Sequence, residues 1–96
     1  MRRSNSQSIG AVIKELLDDY RLSSKLNEVH VVTAWDKVMG AAVARYTTEI
    51  YIKNRILFVR MNHAALRQEL SYGKDKIIKM LNDEVGIEVI LDVKLI

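Results

Sequence analysis

Thr48–Asn62 reads TEIYIKNRILFVRMN, with a β-prone run on each side of Asn54-Arg55. If Asn54-Arg55 is a two-residue turn, Tyr51 lies opposite Phe58 and Glu49 lies opposite Arg60. Because successive strand side chains alternate between faces, this one register sorts the whole hairpin. One face is aliphatic and suits a protein core: Ile50, Ile52, Leu57 and Val59. The other face is mixed: Glu49, Tyr51, Lys53, Ile56, Phe58 and Arg60.

The mixed face is too apolar for a plain solvated surface and too charged for a second core. Aromatic rings stack on unpaired bases, and cations contact phosphates. Tyr51 and Phe58 supply the rings, whereas Lys53, Arg55 and Arg60 supply the charge. A nucleic-acid surface is therefore one interpretation of this face.

Two other interpretations of the mixed face stay open at this point. We expect Ile56 and Ile90 on the same side of the sheet. Aliphatic side chains there favour contact with a protein partner or a second copy, since they make no favourable interaction with phosphate groups. Alternatively, the aromatic pair and the Glu49–Arg60 pair are ordinary cross-strand pairs that stabilise the hairpin.

Size and composition restrict the class of protein. The chain has 96 residues, 49% of them hydrophobic and 28% charged, which is the balance of one globular domain. It has no cysteine, so disulfides and thiolate metal sites are excluded. No apolar run approaches the ~18 residues of a membrane span, and no signal-peptide pattern follows the start. We expect a flexible basic arm at residues 1–7, a single domain at residues 8–96, and a cytoplasmic location without membrane contact.

Positive charge is concentrated in the middle of the chain. The net charge is +3, but the segment from Arg45 to Lys79 carries eight cations and three anions, 8 − 3 = +5. A basic segment of this kind attracts phosphate backbones, although charge runs are commonly just solvated faces. Arg45, Arg67 and Lys74 in this segment therefore join the hairpin residues as predicted nucleic-acid contacts.

Apolar spacing predicts three helices, at roughly 8–21, 27–46 and 63–84, and alternation predicts a last strand at roughly 87–95. Arg21–Lys25 is interpreted as a polar connection, and Trp35 and Tyr46 as core residues of the second helix. Asn62 is expected to cap the third helix, and Gly73 to lie where that helix packs closely. The order α-α-β-β-α-β predicts a two-layer α+β fold, with a three-stranded sheet covered by helices on one face.

Residues that support catalysis are scarce. The two histidines have no metal-ligand spacing, and the adjacent acidic pairs on predicted helices point apart. There is no phosphate-binding glycine loop, because the four glycines are isolated. The sequence therefore predicts no enzyme, no cofactor and no metal.

Three short motifs resemble one bacterial family. Ala34–Gly40 reads AWDKVMG, Val43–Thr47 reads VARYT and Ala64–Leu70 reads AALRQEL, and they flank the hairpin in this order. In order and spacing they are similar to the DciA family, and the resemblance runs from about Ser8 to the C-terminus. Many members have tryptophan where this chain has Leu66. Many also carry a long flexible extension, whereas this sequence ends at Ile96, and so it resembles a short stand-alone member.

The resemblance implies a role in DNA replication, with DNA and the replicative helicase DnaB as partners. Members load or operate that helicase, and their folded domain is similar to the K-homology type without its Gly-x-x-Gly loop. This chain also lacks that loop. The alternatives are a protein-interaction or homodimerisation module that uses the open face of the sheet, and an RNA-binding domain.

Overall fold

A computed structural model describes residues 8–96, and the predicted arm at residues 1–7 lies outside them. The described part contains four helices and a three-stranded sheet. The elements are α1 (Ile9–Met39), α2 (Ala41–Arg45), β1 (Thr47–Lys53), β2 (Ile56–Met61), α3 (Ala64–Ser71), α4 (Lys74–Val85) and β3 (Asp92–Leu95). The predicted α+β class and the three-stranded sheet are confirmed.

The hairpin register is confirmed at every predicted pair. β1 and β2 are antiparallel, with Tyr51 opposite Phe58 and Glu49 opposite Arg60. Asn54 and Arg55 form the turn with φ of 53° and 62°, the left-handed values that a two-residue hairpin loop requires. The turn therefore sets which side chains of β1 and β2 face the core.

The turn predicts the effect of replacing Asn54. Asparagine tolerates left-handed backbone better than alanine does, so Asn54→Ala is expected to lower the free energy of unfolding by about 0.5–1 kcal/mol. The measurement is a urea titration followed by circular dichroism. Asn62→Ala is the matched control, because Asn62 is exposed and is not among the positive-φ residues of the described chain. Equal effects at the two positions would contradict the explanation.

The sheet order is β1-β2-β3, which the sequence had left open. β3 runs parallel to β2, and α3 and α4 form the crossover between them. β1 and β3 are therefore the two edges of the sheet, and β1 pairs with β2 alone among the described strands.

The first predicted helix and the second as far as Met39 form one continuous helix of 31 residues, so the predicted connection at Arg21–Lys25 is wrong; the rest of the second predicted helix is α2. Arg21, Ser23 and Lys25 are polar and exposed, and the segment contains no glycine or proline to end the helix. The break comes instead at Gly40, whose φ of 90° is unfavourable for other residues. The N-terminal half of α1 extends past the sheet and keeps its apolar stripe exposed, from Ile9 (78%) to Tyr20 (69%).

The third predicted helix is divided into α3 and α4 at Tyr72-Gly73. His63, not Asn62, caps α3, since its Nδ1 accepts from the Leu66 amide at 3.0 Å. The expectation of close packing at Gly73 is also wrong, because a Cβ added there would meet no atom within 4 Å. Gly73 instead precedes the first residue of α4.

The core lies between the aliphatic face of the sheet and the helices. Trp35 is fully buried, as predicted, and its Nε1 donates to Thr47 Oγ1 at 3.0 Å, while Tyr46 is half-buried against the core. The buried hydrophobic residues are Val31, Ala34, Trp35, Val43, Leu57, Val59, Met61, Ile77, Leu81, Ile90 and Val93.

Candidate nucleic-acid interface

β3 extends the mixed face of the hairpin across the whole sheet. Val93 is buried, so its neighbours Asp92 and Lys94 lie on the opposite side, where Lys94 is beside Phe58 and Asp92 beside Ile56. We define the open face as Glu49, Tyr51, Lys53, Ile56, Phe58, Arg60, Asp92 and Lys94.

The two aromatic rings of the open face stack on each other. The Tyr51 and Phe58 centroids are 5.0 Å apart and the ring planes differ by 12°. The ring faces that meet are not accessible to a base. Tyr51, on the edge strand and 39% exposed, therefore has one outer ring face on which an unpaired base can stack.

The cations of the open face differ in their partners. Arg60 Nε lies 3.1 Å from Glu49 Oε1 across the hairpin. Lys53 and Lys94 make no ion pair within residues 8–96. With three cations and two anions the face carries 3 − 2 = +1, and its uncompensated charge lies on these two lysines.

Arg55 contributes to the fold rather than to the open face. Its Nε donates to the Val89 carbonyl at 3.1 Å and its Nη2 to the Glu88 carbonyl at 2.8 Å. The guanidinium also lies 3.5 Å from the Glu88 carboxylate. The side chain therefore joins the hairpin turn to the segment before β3.

The predicted contacts on the helices are not gathered on the open face. Arg67 is half-buried, and its Nη1 donates to the Met61 carbonyl at 2.9 Å. Lys74 Nζ lies 3.9 Å from Asp92 Oδ1. Arg45 is exposed at the end of α2, shortly before β1. The structure brings together Tyr51, Lys53, Phe58 and Arg60 of the eight predicted residues.

With this geometry in place, comparison with known proteins gives one match. The family model described as "Dna[CI] antecedent, DciA" matches residues 8–95. The chain belongs to the DciA family. This family is associated with loading of the DnaB helicase in DNA replication. Neither the search of curated proteins nor the search of solved structures found a match.

Two of the three motifs of this DciA-family chain contribute residues to the hydrophobic core. Ala34–Gly40 contains the buried Trp35 and ends at the break between α1 and α2. Ala64–Leu70 spans most of α3, where half-buried Leu66 and Leu70 pack against the core. Both motifs therefore stabilise the helices that pack behind the sheet, and neither lies on the open face.

One residue expected on the open face of this DciA-family chain is elsewhere. Ile90 is fully buried in the core, so its predicted place beside Ile56 is wrong. β3 begins only at Asp92, and the Asn82 side chain bonds the backbone of residues 89 and 90 before it. The alternation of the last segment is therefore interrupted, and the apolar part of the open face is reduced to Ile56 and the two rings.

The described residues of this DciA-family chain were also compared with the requirements of a metal site and of a membrane span. No group of three or more His, Asp or Glu side chains in residues 8–96 is placed to hold a metal ion. His63 caps α3 and meets the Tyr46 ring edge-on at a centroid distance of 4.7 Å. None of the described helices combines the length and apolar character needed to cross a membrane.

Proposed function

We propose that this chain is a non-enzymatic DNA-binding module that acts in the cytoplasm and helps load or operate DnaB. The observation that carries the DNA part is the pair of lysines on the open face, Lys53 and Lys94, which lack ion-pair partners in residues 8–96. Lys53 follows Tyr51 on the same face of β1, and Lys94 lies next to Phe58 across the sheet, so each stacked ring has a lysine as its neighbour. Family membership supports the helicase part.

The open face favours single-stranded DNA over duplex. A base reaches the outer face of Tyr51 only when it is unpaired. Lys53 is two residues along β1 from Tyr51, and Lys94 is across the sheet beside Phe58, so a DNA strand that crosses the face diagonally meets one cation next to each ring. Sequence-tolerant binding follows, because every base has a ring face while the lysines contact only phosphates.

We further propose that the domain is K-homology-like but binds DNA without the loop that K-homology domains use. The Gly-x-x-Gly loop of K-homology domains clamps the nucleic-acid backbone, and the sequence contains no such motif. Backbone contacts therefore fall to the lysines of the open face, and we expect modest affinity with marked dependence on salt.

Charge reversal at both lysines tests DNA binding. Lys53→Glu/Lys94→Glu is expected to weaken binding of single-stranded DNA by about tenfold at low salt. Loss of two phosphate contacts should also reduce the slope of log affinity against log salt by about 1.4. Fluorescence anisotropy across a salt series measures both quantities.

The control for this experiment carries the same change in charge away from the open face. Lys14→Glu/Arg21→Glu alters two exposed residues in the N-terminal half of α1. Equal losses in the two double variants would remove the open face from the site, and absence of binding by the unaltered protein at low salt would refute DNA binding. Single-stranded RNA of matched sequence tests the RNA alternative, and a pull-down with DnaB tests the helicase role separately.

A further inference from the structure

We propose that β1 is a dimerisation edge, which pairs antiparallel with β1 of a second copy of this chain. β1 has seven residues and pairs only with β2 among the described strands. Monomeric proteins commonly protect such an edge with proline, a β-bulge, a very short strand or charges that repel a second copy. β1 has no proline, and its register irregularity is confined to Thr47–Glu49. From Glu49 to Lys53 the pairing is regular, and the two charges of this segment, one at each end, have opposite signs.

The backbone groups on the outer side of β1 belong to Ile50 and Ile52. In an antiparallel ladder closed by a two-residue turn, Lys53–Ile56 and Tyr51–Phe58 are hydrogen-bonded pairs. The N–H and C=O groups of the intervening residues Ile50 and Ile52 therefore point away from β2. No turn, loop or cap hydrogen bond of residues 8–96 uses these groups, so a further strand can bond to them.

The sequence of the edge selects one register. Glu49–Lys53 reads Glu-Ile-Tyr-Ile-Lys, a near-palindrome with opposite charges at its ends. Antiparallel pairing centred on Tyr51 sets Glu49 opposite the partner's Lys53, and Ile50 opposite the partner's Ile52. Centring on Ile50 instead sets Glu49 opposite the partner's Tyr51 and loses both charge pairs. The Tyr51 register also matches the backbone, because it pairs the two residues whose N–H and C=O groups point outward.

An apolar groove lies beside this edge. Val29 and Val32 of α1 and Ile50 and Ile52 of β1 line it, and Val29 is 54% exposed. A two-fold axis perpendicular to the sheet at Tyr51 would place both α1 helices on the same side of a six-stranded sheet. The partner's Ile50 and Ile52 would then extend the aliphatic face next to this groove, and the partner's Glu49, which pairs with Arg60 in its own chain, would lie opposite Lys53. Because this pairing uses Lys53 and covers the outer side of Tyr51, the dimer and the complex with single-stranded DNA are alternative states of the same edge.

A charge-exchange experiment tests the pairing in the absence of nucleic acid. Sedimentation equilibrium of the unaltered protein should show a reversible monomer–dimer equilibrium. Lys53→Glu and Glu49→Lys each set like charges opposite each other at both ends of the pairing, and each should raise the dimer Kd by about tenfold. An equimolar mixture of the two variants should recover dimer, because opposite charges meet again only between different chains.

A charge change away from β1 is the control for this experiment. Lys76→Glu changes an exposed charge on α4 and should leave the dimer Kd unaltered. A strict monomer at millimolar concentration would overturn the proposal, and so would a mixture that dimerises no better than either variant alone. Far-UV circular dichroism of each variant establishes that the comparison is made between folded proteins.

Single cysteines test the register directly, since the chain has none of its own. At the centre of the pairing, Tyr51 and the partner's Tyr51 form a non-hydrogen-bonded pair with Cα atoms about 4.5 Å apart, within disulfide range. Lys53 and the partner's Lys53 lie four residues out of register, about 13 Å apart. Oxidised Tyr51→Cys should therefore form a disulfide dimer and Lys53→Cys should not. No disulfide dimer of Tyr51→Cys, or equal yields from both variants, would refute this register.

Discussion

Trp35→Ala is expected to lower the free energy of unfolding by about 3–5 kcal/mol, the largest effect of any single change considered for this chain. The indole is 0% exposed and its Nε1 donates to Thr47 Oγ1, so truncation leaves both a cavity and a hydroxyl without its donor. Domains of this size have only about 5–15 kcal/mol of stability, so the change should remove a large share of it.

Urea unfolding measured by circular dichroism tests this prediction, because the variant lacks the protein's single tryptophan and hence its fluorescence signal. Tyr72→Ala removes another large aromatic side chain, but from a position that is 76% exposed, and should change stability by less than about 0.5 kcal/mol. A loss below about 1 kcal/mol at Trp35 would mean that the indole does not fill the core as described.

Asn82→Ala should cost about 2–3 kcal/mol of stability. The Asn82 carboxamide oxygen accepts from the amides of Val89 and Ile90 at 2.9 and 3.1 Å, and its Nδ2 donates to the Ile90 carbonyl at 2.9 Å. Alanine would leave these partly buried backbone groups without partners. The resulting loss of stability is larger than the net stabilisation that the hydrogen bonds themselves contribute.

Urea unfolding together with hydrogen exchange tests the role of Asn82. The amides of Val89 and Ile90 should lose protection first, because local opening of residues 86–91 no longer breaks side-chain bonds. Asp83→Ala, at the next position, removes only an exposed bond to Lys79 and should cost a few tenths of a kcal/mol. Unchanged protection in Asn82→Ala would contradict the role.

The hairpin register from Glu49 to Arg60 could be predicted because its determinants are local, whereas the irregularity between Thr47 and Glu49 was not predicted. A two-residue turn and strict alternation leave one register, and a one-residue shift would send Leu57 and Val59 to solvent. The junction at Arg21–Lys25 could not be predicted in the same way. Polar residues occur both in connections and on exposed helices, and the choice depends on what the helix packs against. α1 passes beyond the sheet at that point, so its polarity reflects exposure.

The candidate site could be predicted only where it lies within the hairpin. Tyr51, Lys53 and Phe58 share a face because of strand periodicity alone. Arg55 and Arg67 instead donate to backbone carbonyls, a choice that depends on tertiary contacts and leaves no sequence signal. The alternation of Lys94 with Val93 predicts that Lys94 faces away from the core. Its position beside Phe58 could not be predicted, because it depends on the strand order.

The extension of α1 past the sheet determines how this protein moves through a solvent. The described chain measures 62 × 20 × 20 Å and has a Cα radius of gyration of 18.0 Å. A compact domain of this length would have a radius of gyration of about 12–13 Å. An elongated particle experiences more friction than a sphere of equal mass, so the monomer should elute early from a gel-filtration column. Its apparent mass against globular standards will therefore exceed its true mass before any second copy binds.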